Sequence, residues 1–147
     1  MPAEAARPAR VDSASASTLA VSVMRLARRL RQERDTDLTA TQLSALGSIR
    51  RHGPLTIGAL AAHERVQPPS MTRTVGCLVD RGLVTRSDHP LDGRQVVVCI
   101  TDAGRDVVAR TRRRRDAWLA RRLAALPPGE RATLAAASEI LRRIADS

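Results

Sequence analysis

Trp118 is the only aromatic side chain of the Phe, Tyr and Trp type in this sequence of 147 residues. A chain without Phe or Tyr builds its core from Leu, Val, Ile and Ala, which suit packing between helices better than packing between two stacked sheets. Hydrophobic residues still make up 43% of the sequence, which is ordinary for a globular protein. The length suits one domain with a modest core. The composition therefore favours a single, mainly helical domain.

Helical spacing of apolar residues predicts six helices along the chain. Pro68 and Pro69 suit the first turn of the fourth helix, where a missing N–H has no helical partner anyway, and Gly82 suits its C-terminal stop. Two strand-like runs, LVTRSD and QVVVCIT, flank the segment HPLDGR and predict a β-hairpin before the fifth helix. The predicted helices cover about 18–34, 40–53, 57–66, 68–81, 102–126 and 130–146.

This order of elements, with two consecutive helices joined by a tight turn and then a hairpin, predicts a winged helix-turn-helix. The fold class is mainly α with a small β-hairpin wing. The winged helix-turn-helix covers about 38–101, and the helices over about 17–35 and 102–146 lie outside it with apolar stripes that another surface must cover. The Ala-, Pro-, Ser- and Arg-rich start, 1–16, lacks the apolar stretch of a secretory signal. It is predicted to be a flexible arm ahead of the domain at 17–147.

The chain is strongly basic. Its formal net charge is +10 at pH 7, and all 25 Lys-or-Arg positions are arginine. Such a charge predicts affinity for a polyanion, either nucleic acid or an anionic membrane surface. No apolar run approaches the ~20 residues that cross a bilayer, so no membrane partner is expected. The two cysteines have no CxxC spacing, which predicts reduced thiols in a cytoplasm rather than a disulfide framework.

The fourth helix is expected to be amphipathic, with one side in the core. Each residue of an α-helix advances ~100° around the axis, so every position can be compared with Val75 as the reference. The residues predicted to share the core side with Val75 are Met71, Leu78, Val79 and Gly82. The residues predicted on the opposite, exposed side are Ser70, Arg73, Cys77 and Asp80.

In a helix-turn-helix the exposed side of this helix enters the major groove of DNA. We expect Ser70 and Arg73 to meet base edges, because an arginine fork matches the guanine O6/N7 pair and a serine tolerates several bases. The N-terminal amides of the helix are expected to add a phosphate site. The other residues of this lobe predicted to contact DNA are Gln67 and Thr72 at the rim, with Thr74 and Arg86.

The tip of the predicted hairpin carries Asp92, Gly93 and Arg94. In a winged helix this tip reaches the DNA backbone or the minor groove, and an arginine suits a narrow, electronegative minor groove. Gly93 is expected to supply the turn. Asp92 is expected to accept a hydrogen bond from the Arg94 guanidinium and to hold it extended toward DNA. Asp92 and Arg94 are therefore predicted DNA-binding residues, and the alternative is a plain hairpin with an incidental Asp–Arg pair.

The segment from Leu38 to Gly104 resembles the MarR family of bacterial transcription regulators. Asp92-Gly93-Arg94 matches the wing motif of that family, which is Asp, any residue, Arg, followed by a strand ending in IT and then a helix. DRGLVTR matches the family's exit from the recognition helix. One departure is plain: family members commonly carry charged residues where this chain has Gly76 and Cys77.

The resemblance implies a homodimer on a pseudo-palindromic operator in double-stranded DNA, with the first, fifth and sixth helices intertwined between two lobes. It implies regulation of transcription, with repression favoured, relieved by a small aromatic or phenolic anion between the dimerisation and DNA-binding regions. Candidate ligand contacts are Arg28, His52 and Trp118. The last two helices also carry more apolar residues than so small a lobe can cover, namely Leu119, Leu123, Leu126, Leu134, Leu141 and Ile144.

Three other functions stay open at this point. Cys77 on the exposed side of the recognition helix suggests an oxidation sensor, and the run RTRRRR at 110–115 suggests a non-specific basic nucleic-acid-binding protein. A metal sensor could use His52, His63, Glu64 and His89, but their spacing is not that of metal ligands, so neither a metal site nor a cofactor is predicted. Scattered histidines, with no glycine-rich phosphate loop and no paired carboxylates, argue against an enzyme.

Overall fold

Six helices surround a small antiparallel sheet in the part of the chain that the computed structural model describes, residues 12–34 and 36–147. The predicted order of elements is confirmed, with one short strand added before the third helix. The elements are α1 (Ser13–Gln32), α2 (Ala40–His52), β1 (Leu55–Thr56), α3 (Ile57–Glu64), α4 (Pro68–Asp80), β2 (Val84–Asp88), β3 (Val96–Ile100), α5 (Asp102–Ala124) and α6 (Pro128–Ala145).

Side-chain caps define the ends of the helices in the central lobe. Thr39 and Gln42 form a capping box at the start of α2, in which each side chain accepts a hydrogen bond from the other residue's backbone N–H. Thr56 and Thr101 cap α3 and α5 in the simpler way, each accepting one backbone N–H. Helix α4 ends before Gly82, whose φ of +68° is the left-handed conformation that favours glycine.

Helix α1 begins earlier than the apolar stripe predicted. It starts at Ser13, where the Asp12 side chain accepts a hydrogen bond from the backbone N–H of Ala14. The C-terminal end of the predicted arm is therefore helical. Ser and Ala allow the helix to begin several residues before its apolar stripe, because Asp12 provides a cap there. The rest of the predicted arm, 1–11, lies outside the described residues.

The core lies between α2, α3, α4 and the sheet. It is aliphatic, as the composition requires, and Trp118 is not part of it. Each of these helices contributes the stripe that its sequence predicts, and the strands contribute the valines. The largest side chains with no exposure to solvent, or almost none, are Leu46, Ile49, Leu60, Met71, Val75, Leu78, Val84 and Val98.

The sheet has the order β1-β3-β2, with β3 antiparallel to both neighbours. The hairpin of β2 and β3 pairs Val84 with Ile100 at its base and Asp88 with Val96 near its tip. The third strand was not predicted, because β1 is only two residues long and carries no periodic signal of its own. It ties the start of α3 to the base of the hairpin.

The base of the hairpin and the start of α5 meet in a tightly packed joint. The Thr101 N–H donates to the Leu83 carbonyl at 3.1 Å, and the Thr101 hydroxyl donates to the Gly82 carbonyl at 2.7 Å. Gly104 is buried against the same segment, and a Cβ on Gly104 would stand 2.2 Å from the Leu83 carbonyl oxygen. Only a glycine allows α5 to approach the end of the recognition helix this closely.

Helices α1 and α6 leave their apolar sides uncovered. Neither helix contains a buried residue. Large apolar side chains are half exposed along both, and Met24 and Ile144 each show 59% of their surface to solvent. The two helices therefore need a covering surface that the described part of one chain does not supply.

Candidate DNA-binding surface

Helix α4 is divided into a core side and a solvent side, as its sequence predicts. Met71, Val75 and Leu78 have no exposed surface, and Val79 is half-buried. The residues predicted to lie opposite are Ser70, Arg73, Cys77 and Asp80, and they lie at the surface of the lobe. The prediction is wrong for Gly82, which is exposed because the helix has already ended at Asp80.

The N-terminus of α4 does not provide the phosphate site that we expected. Pro68 and Pro69 have no N–H, and the amides of Ser70 and Met71 both donate to the Gln67 carbonyl, at 3.0 Å and 3.2 Å. The N-terminal amides are therefore absent or already bonded. Gln67 is exposed at the N-cap position and its side chain makes no capping hydrogen bond there, so this side chain is available for a partner.

Two predicted contact residues use their hydroxyl protons inside the helix. The Thr72 hydroxyl donates to the Pro68 carbonyl at 3.0 Å, and the Thr74 hydroxyl donates to the Ser70 carbonyl at 3.1 Å. Thr72 is exposed and Thr74 is half-buried. A phosphate oxygen needs a donor, so in this arrangement Ser70, Arg73 and Gln67 are better placed than either threonine to bind DNA.

Asp92 shapes the wing through the backbone rather than through the arginine side chain. Its Oδ1 accepts the backbone N–H of Arg94 at 3.0 Å, and its Oδ2 accepts the Gln95 side-chain amide at 3.2 Å. The turn is closed by the Gln95 N–H, which donates to the Asp92 carbonyl at 3.0 Å. The predicted bond from Asp92 to the Arg94 guanidinium is wrong, because the nearer backbone N–H takes the same carboxylate oxygen.

Gly93 plays no special part in this turn. Its φ is not in the left-handed region, and a Cβ built on it meets no atom within 4 Å. The expectation that the glycine supplies the turn is therefore wrong, since a turn of this kind accepts most residues. The exposed Arg94 follows it, close to Leu91, whose side chain is 91% exposed.

Arg86 extends the wing's base toward the recognition helix. It lies on β2 opposite Val98 of β3. Its Nη2 atom is 4.0 Å from the point where a Cβ on Gly76 would stand, so the guanidinium lies beside α4 at the residue that has no side chain. Family members commonly carry a charged residue at the position of Gly76. This chain has no side chain there, and the Arg86 guanidinium of the neighbouring strand lies next to it.

An ion pair that the sequence did not predict holds the end of α4. Both terminal guanidinium nitrogens of Arg81 bind the Asp37 carboxylate, at 2.6 Å and 2.8 Å, across 44 positions of sequence. This hydrogen bonding to Arg81 lowers the pKa of Asp37 below its ordinary value of 3.8. The pair connects the recognition helix to the segment that joins α1 and α2, and neither residue stands in a motif that would have revealed it.

Three exposed arginines among the predicted DNA-binding residues have guanidinium groups with no hydrogen bond or ion pair within residues 12–34 and 36–147. They come from α4, β2 and the wing turn, and they are Arg73, Arg86 and Arg94. Some other arginines do pair with Asp or Glu, as in the bonds of Arg29, Arg81 and Arg142. These three guanidinium groups are therefore free to bind an external anion, such as the phosphate backbone of DNA.

Comparison with known proteins identifies the lobe. A model of the MarR family matches residues 38–96, from just before α2 to the start of β3. The HTH-type transcriptional regulator Mb0904 of Mycobacterium bovis is 45% identical over 136 residues, which cover 92% of this chain and 95% of that protein. The chain belongs to the MarR family. As a member of that family it is a DNA-binding transcriptional regulator and not an enzyme.

Solved structures agree with this assignment to the MarR family. A transcriptional regulator protein from Pseudomonas aeruginosa is 35% identical, covers 95% of this chain and 99% of its own, and superposes with a TM-score of 0.85. MepR of S. aureus, solved as a point mutant bound to an oligodeoxyribonucleotide, shares the fold at 18% identity and a TM-score of 0.68, with 88% of this chain and 97% of that one covered. Among the helices of residues 12–34 and 36–147, none combines the length and the apolar composition of a membrane span.

This MarR-family chain also has a cavity of about 900 Å³ between α2, α3 and α5. None of the three predicted ligand contacts lines it. Trp118 lies further along α5, where the Arg29 and Arg122 guanidinium groups stand 4.8 Å and 5.4 Å from its ring centroid. His52 stacks on His63, which does line the cavity, and Arg28 lies on α1, away from the lining. Two of the three residues lie on helices that border the cavity, His52 on α2 and Trp118 on α5, but neither is among its lining residues.

The sensor hypotheses can be placed on the structure. Cys77 is exposed on the solvent side of α4, and Cys99 is half-buried on β3 with its sulfur 3.7 Å from the Ser87 hydroxyl. Both thiols are free. Within the residues that the structure describes, no three His, Cys, Asp or Glu side chains gather as a metal site would require. An oxidation response at Cys77 stays a prediction.

Proposed function

We propose that the protein represses transcription as a homodimer that binds a pseudo-palindromic operator, one winged-helix lobe to each half-site. The observation that carries the proposal is the division of α4. Its apolar side is sealed in the core, whereas Ser70 and Arg73 project from the rigid helix into solvent. A rigid helix that presents an unpaired arginine suits insertion into the major groove, which admits an α-helix.

The wing supplies the second contact. Asp92 fixes the turn, so the backbone of Arg94 has one conformation while its guanidinium keeps all its donors for a partner. We expect this side chain to enter the minor groove beside the recognition helix. Arg86 and Gln67 flank the two contacts and are proposed to bind the phosphates between them.

The uncovered sides of α1 and α6 support a dimer. Their half-exposed apolar residues would be buried by the same residues of a second copy, as a two-fold axis requires. Repression is the simplest outcome, because a dimer bound over a promoter occupies the duplex that RNA polymerase must open. The protein would act in the bacterial cytoplasm, where the chromosome lies. A small anion that enters between the lobe and the dimerisation helices would release it.

The test is binding to the DNA upstream of the protein's own gene, first by footprinting and then by titration. The regulator should prefer its site to random duplex by ~10³ or more. Arg94→Ala should weaken binding to all sequences and reduce the salt slope of the dimer by about 2, one for each lobe, whereas Arg73→Ala should also relax the base preference, at a cost of about 1–3 kcal/mol at each contact.

Arg131→Ala, an exposed arginine on α6 outside the lobe, is the matched control and should bind like the wild type. If Arg73→Ala and Arg94→Ala both bound the operator as the wild type does, this mode of docking would be wrong. A salt-dependent affinity with no sequence preference would instead identify a general polyanion binder.

A further inference from the structure

The cavity between α2, α3 and α5 has the size of a small-molecule site but an unusual lining. Its volume of about 900 Å³ falls within the range of known ligand pockets. Such pockets are lined mainly by hydrophobic and aromatic side chains. This one contains no Trp, Phe or Tyr. Its lining residues are Ala40, Leu43, Ser44, Gly47, Ser48, Arg50, Arg51, His63, Glu64, Arg65, Val108, Thr111, Arg112 and Arg115.

Five arginines, from α2, the end of α3 and α5, converge on this cavity, and Glu64 is the only carboxylate in its lining. Arg112 and Arg115 share the carboxylate of Asp116. The guanidinium groups of Arg50, Arg51 and Arg65 have no hydrogen bond or ion pair anywhere in the part of the chain that is described. Like charges gathered around one space repel each other, so an anion with several charges would be strongly attracted there.

A buried hydroxyl in the lining has no partner. The Thr111 Oγ1 is shielded from solvent and makes no hydrogen bond with the described part of the protein. The Ser48 hydroxyl, by contrast, donates to the Glu64 carboxylate. No water-sized group in the cavity reaches the Thr111 oxygen, so the polar character of the lining comes chiefly from its arginines.

Arg65 occupies a backbone position that glycine or asparagine would fill at lower cost. It is the C-cap of α3 with φ 53° and ψ 42°, and it is the only residue other than glycine with a positive φ in the described chain. Helix ends of this kind usually carry Gly because a Cβ is disfavoured there. An unfavourable conformation that persists at the edge of a cavity suggests that the side chain is needed.

We propose that this cavity binds a small hydrophilic anion with at least two negative charges, such as a phosphate ester or a polycarboxylate. Arginine forks bind both groups in the same two-point geometry. A phenolic monoanion would leave most of the positive charge uncompensated and would find no Trp, Phe or Tyr ring to stack on. The inference rests on the proposed function and deepens it, because the cavity lies between the DNA-binding lobe and α5.

The test is calorimetric titration of the full-length protein at about 0.15 M salt with pyrophosphate, citrate and benzoate. Pyrophosphate or citrate should bind once per chain, and benzoate at the same concentration should not. Arg112→Ala should weaken that binding about tenfold or more, whereas Arg113→Ala, its neighbour outside the cavity lining, should not. Arg65→Gly should weaken binding similarly while leaving the Tm without ligand unchanged or higher, because glycine prefers this backbone conformation.

Three results would overturn the proposal. The first is tighter binding of benzoate than of both polyanions. The second is an equal loss of polyanion affinity in Arg112→Ala and Arg113→Ala, which would indicate general attraction by a basic helix. The third is a loss of affinity for random duplex DNA in Arg112→Ala alone, which would make the cavity a contact for the DNA backbone. Footprinting tests the operator separately, so failure of the proposed function would be recognised without the anion.

Discussion

At the scale of single residues, Asp92 is a positioning residue for the DNA contact that Arg94 is proposed to make. Its carboxylate is used by the Arg94 N–H and the Gln95 amide, so it orders the turn and leaves the guanidinium unrestrained. The backbone of the wing turn is therefore held by hydrogen bonds, and the guanidinium at its tip has none within the described residues. Such a side chain can adjust to grooves of different width, which suits recognition of DNA shape more than of individual bases.

A second residue-scale feature, the Asp37–Arg81 pair, makes stability depend on pH. Because the pKa of Asp37 is lower in the folded state, its contribution is complete above 3.8 and is lost as the pH falls through the folded-state value. We expect Asp37→Asn to be slightly less stable than the wild type at neutral pH, since the pair is exposed. The difference should disappear in acid, as followed by urea unfolding at a series of pH values.

Asp106→Asn is the control for this measurement. Asp106 is exposed on α5 and makes no ion pair among the described residues, so its replacement removes a surface carboxylate without breaking a pair. A difference between wild type and Asp37→Asn that persisted unchanged in acid would contradict the assignment.

The residues of the candidate site were predictable only where a helix period or a motif determines them. Ser70 and Arg73 follow from the ~100° step of an α-helix, and Arg94 follows from the wing motif. The partner of Asp92 was not predictable, because a backbone N–H and a guanidinium compete for the same oxygen. Asp37 and Arg81 meet through tertiary packing across 44 positions, which no local pattern encodes.

At the scale of elements, the joint between the hairpin and α5 connects the lobe that is proposed to bind DNA with the helices that are proposed to form the dimer. The Gly82 and Leu83 carbonyls just after the recognition helix accept bonds from Thr101, the cap of the helix that leads away from the lobe. A change in the direction of α5 would therefore act on the end of α4 through these two hydrogen bonds. The close approach at Gly104 leaves little space for the two elements to shift independently.

This joint predicts opposite outcomes for two glycine substitutions. Gly104→Ala should lower the free energy of unfolding by about 1–3 kcal/mol, because its Cβ would overlap the Leu83 carbonyl oxygen, 2.2 Å away. Gly58→Ala in α3, where a Cβ meets nothing within 4 Å, should raise it by about 0.5–1 kcal/mol through the better helix propensity of alanine. Urea unfolding with an unchanged m-value measures both. Equal stability of the two variants would contradict the packing described for the joint.

The helices of the lobe were predictable because their apolar stripes are long and their caps are strong, as at Thr39 and Thr101. The hairpin was predictable from two β-branched runs around a turn. Strand β1 was not, because two residues have no period. The start of α1 was not either, because the Ser- and Ala-rich segment before Leu19 contains no apolar stripe and depends on the cap at Asp12.

At the scale of the whole molecule, the distribution of buried surface separates a complete lobe from an incomplete pair of helices. The winged-helix lobe has its own core, whereas α1 and α6 have none. We expect folding of the lobe to be independent of the partner copy and the arrangement of the terminal helices to depend on it. In the proposed homodimer, the spacing of the two operator half-sites would match the distance at which the dimer interface holds the two lobes.

Ile144→Glu tests this dependence. Ile144 is 59% exposed in one chain, so the substitution should leave the lobe folded and convert the dimer to a monomer in sedimentation equilibrium. Operator affinity should fall by about 10²–10⁴, because the second half-site no longer benefits from tethering to the first. Ala135→Glu adds the same charge to α6 about 180° around the helix and should remain dimeric. A dimer that withstood Ile144→Glu would place the interface elsewhere.

The uninterrupted length of α5 has a mechanical consequence. Its 23 residues make a lever about 34 Å long that is anchored at Gly104 and passes the cationic cavity before its far third. A tilt of about 10° at the anchored end would carry the far end through about 6 Å, by the geometry of a rod of that length. Two such levers, joined at their far ends, would move the recognition helices out of step with the DNA repeat of about 34 Å. A small anion bound in the cavity, near the anchored end of α5, would therefore be enough to detach both lobes from the DNA at once.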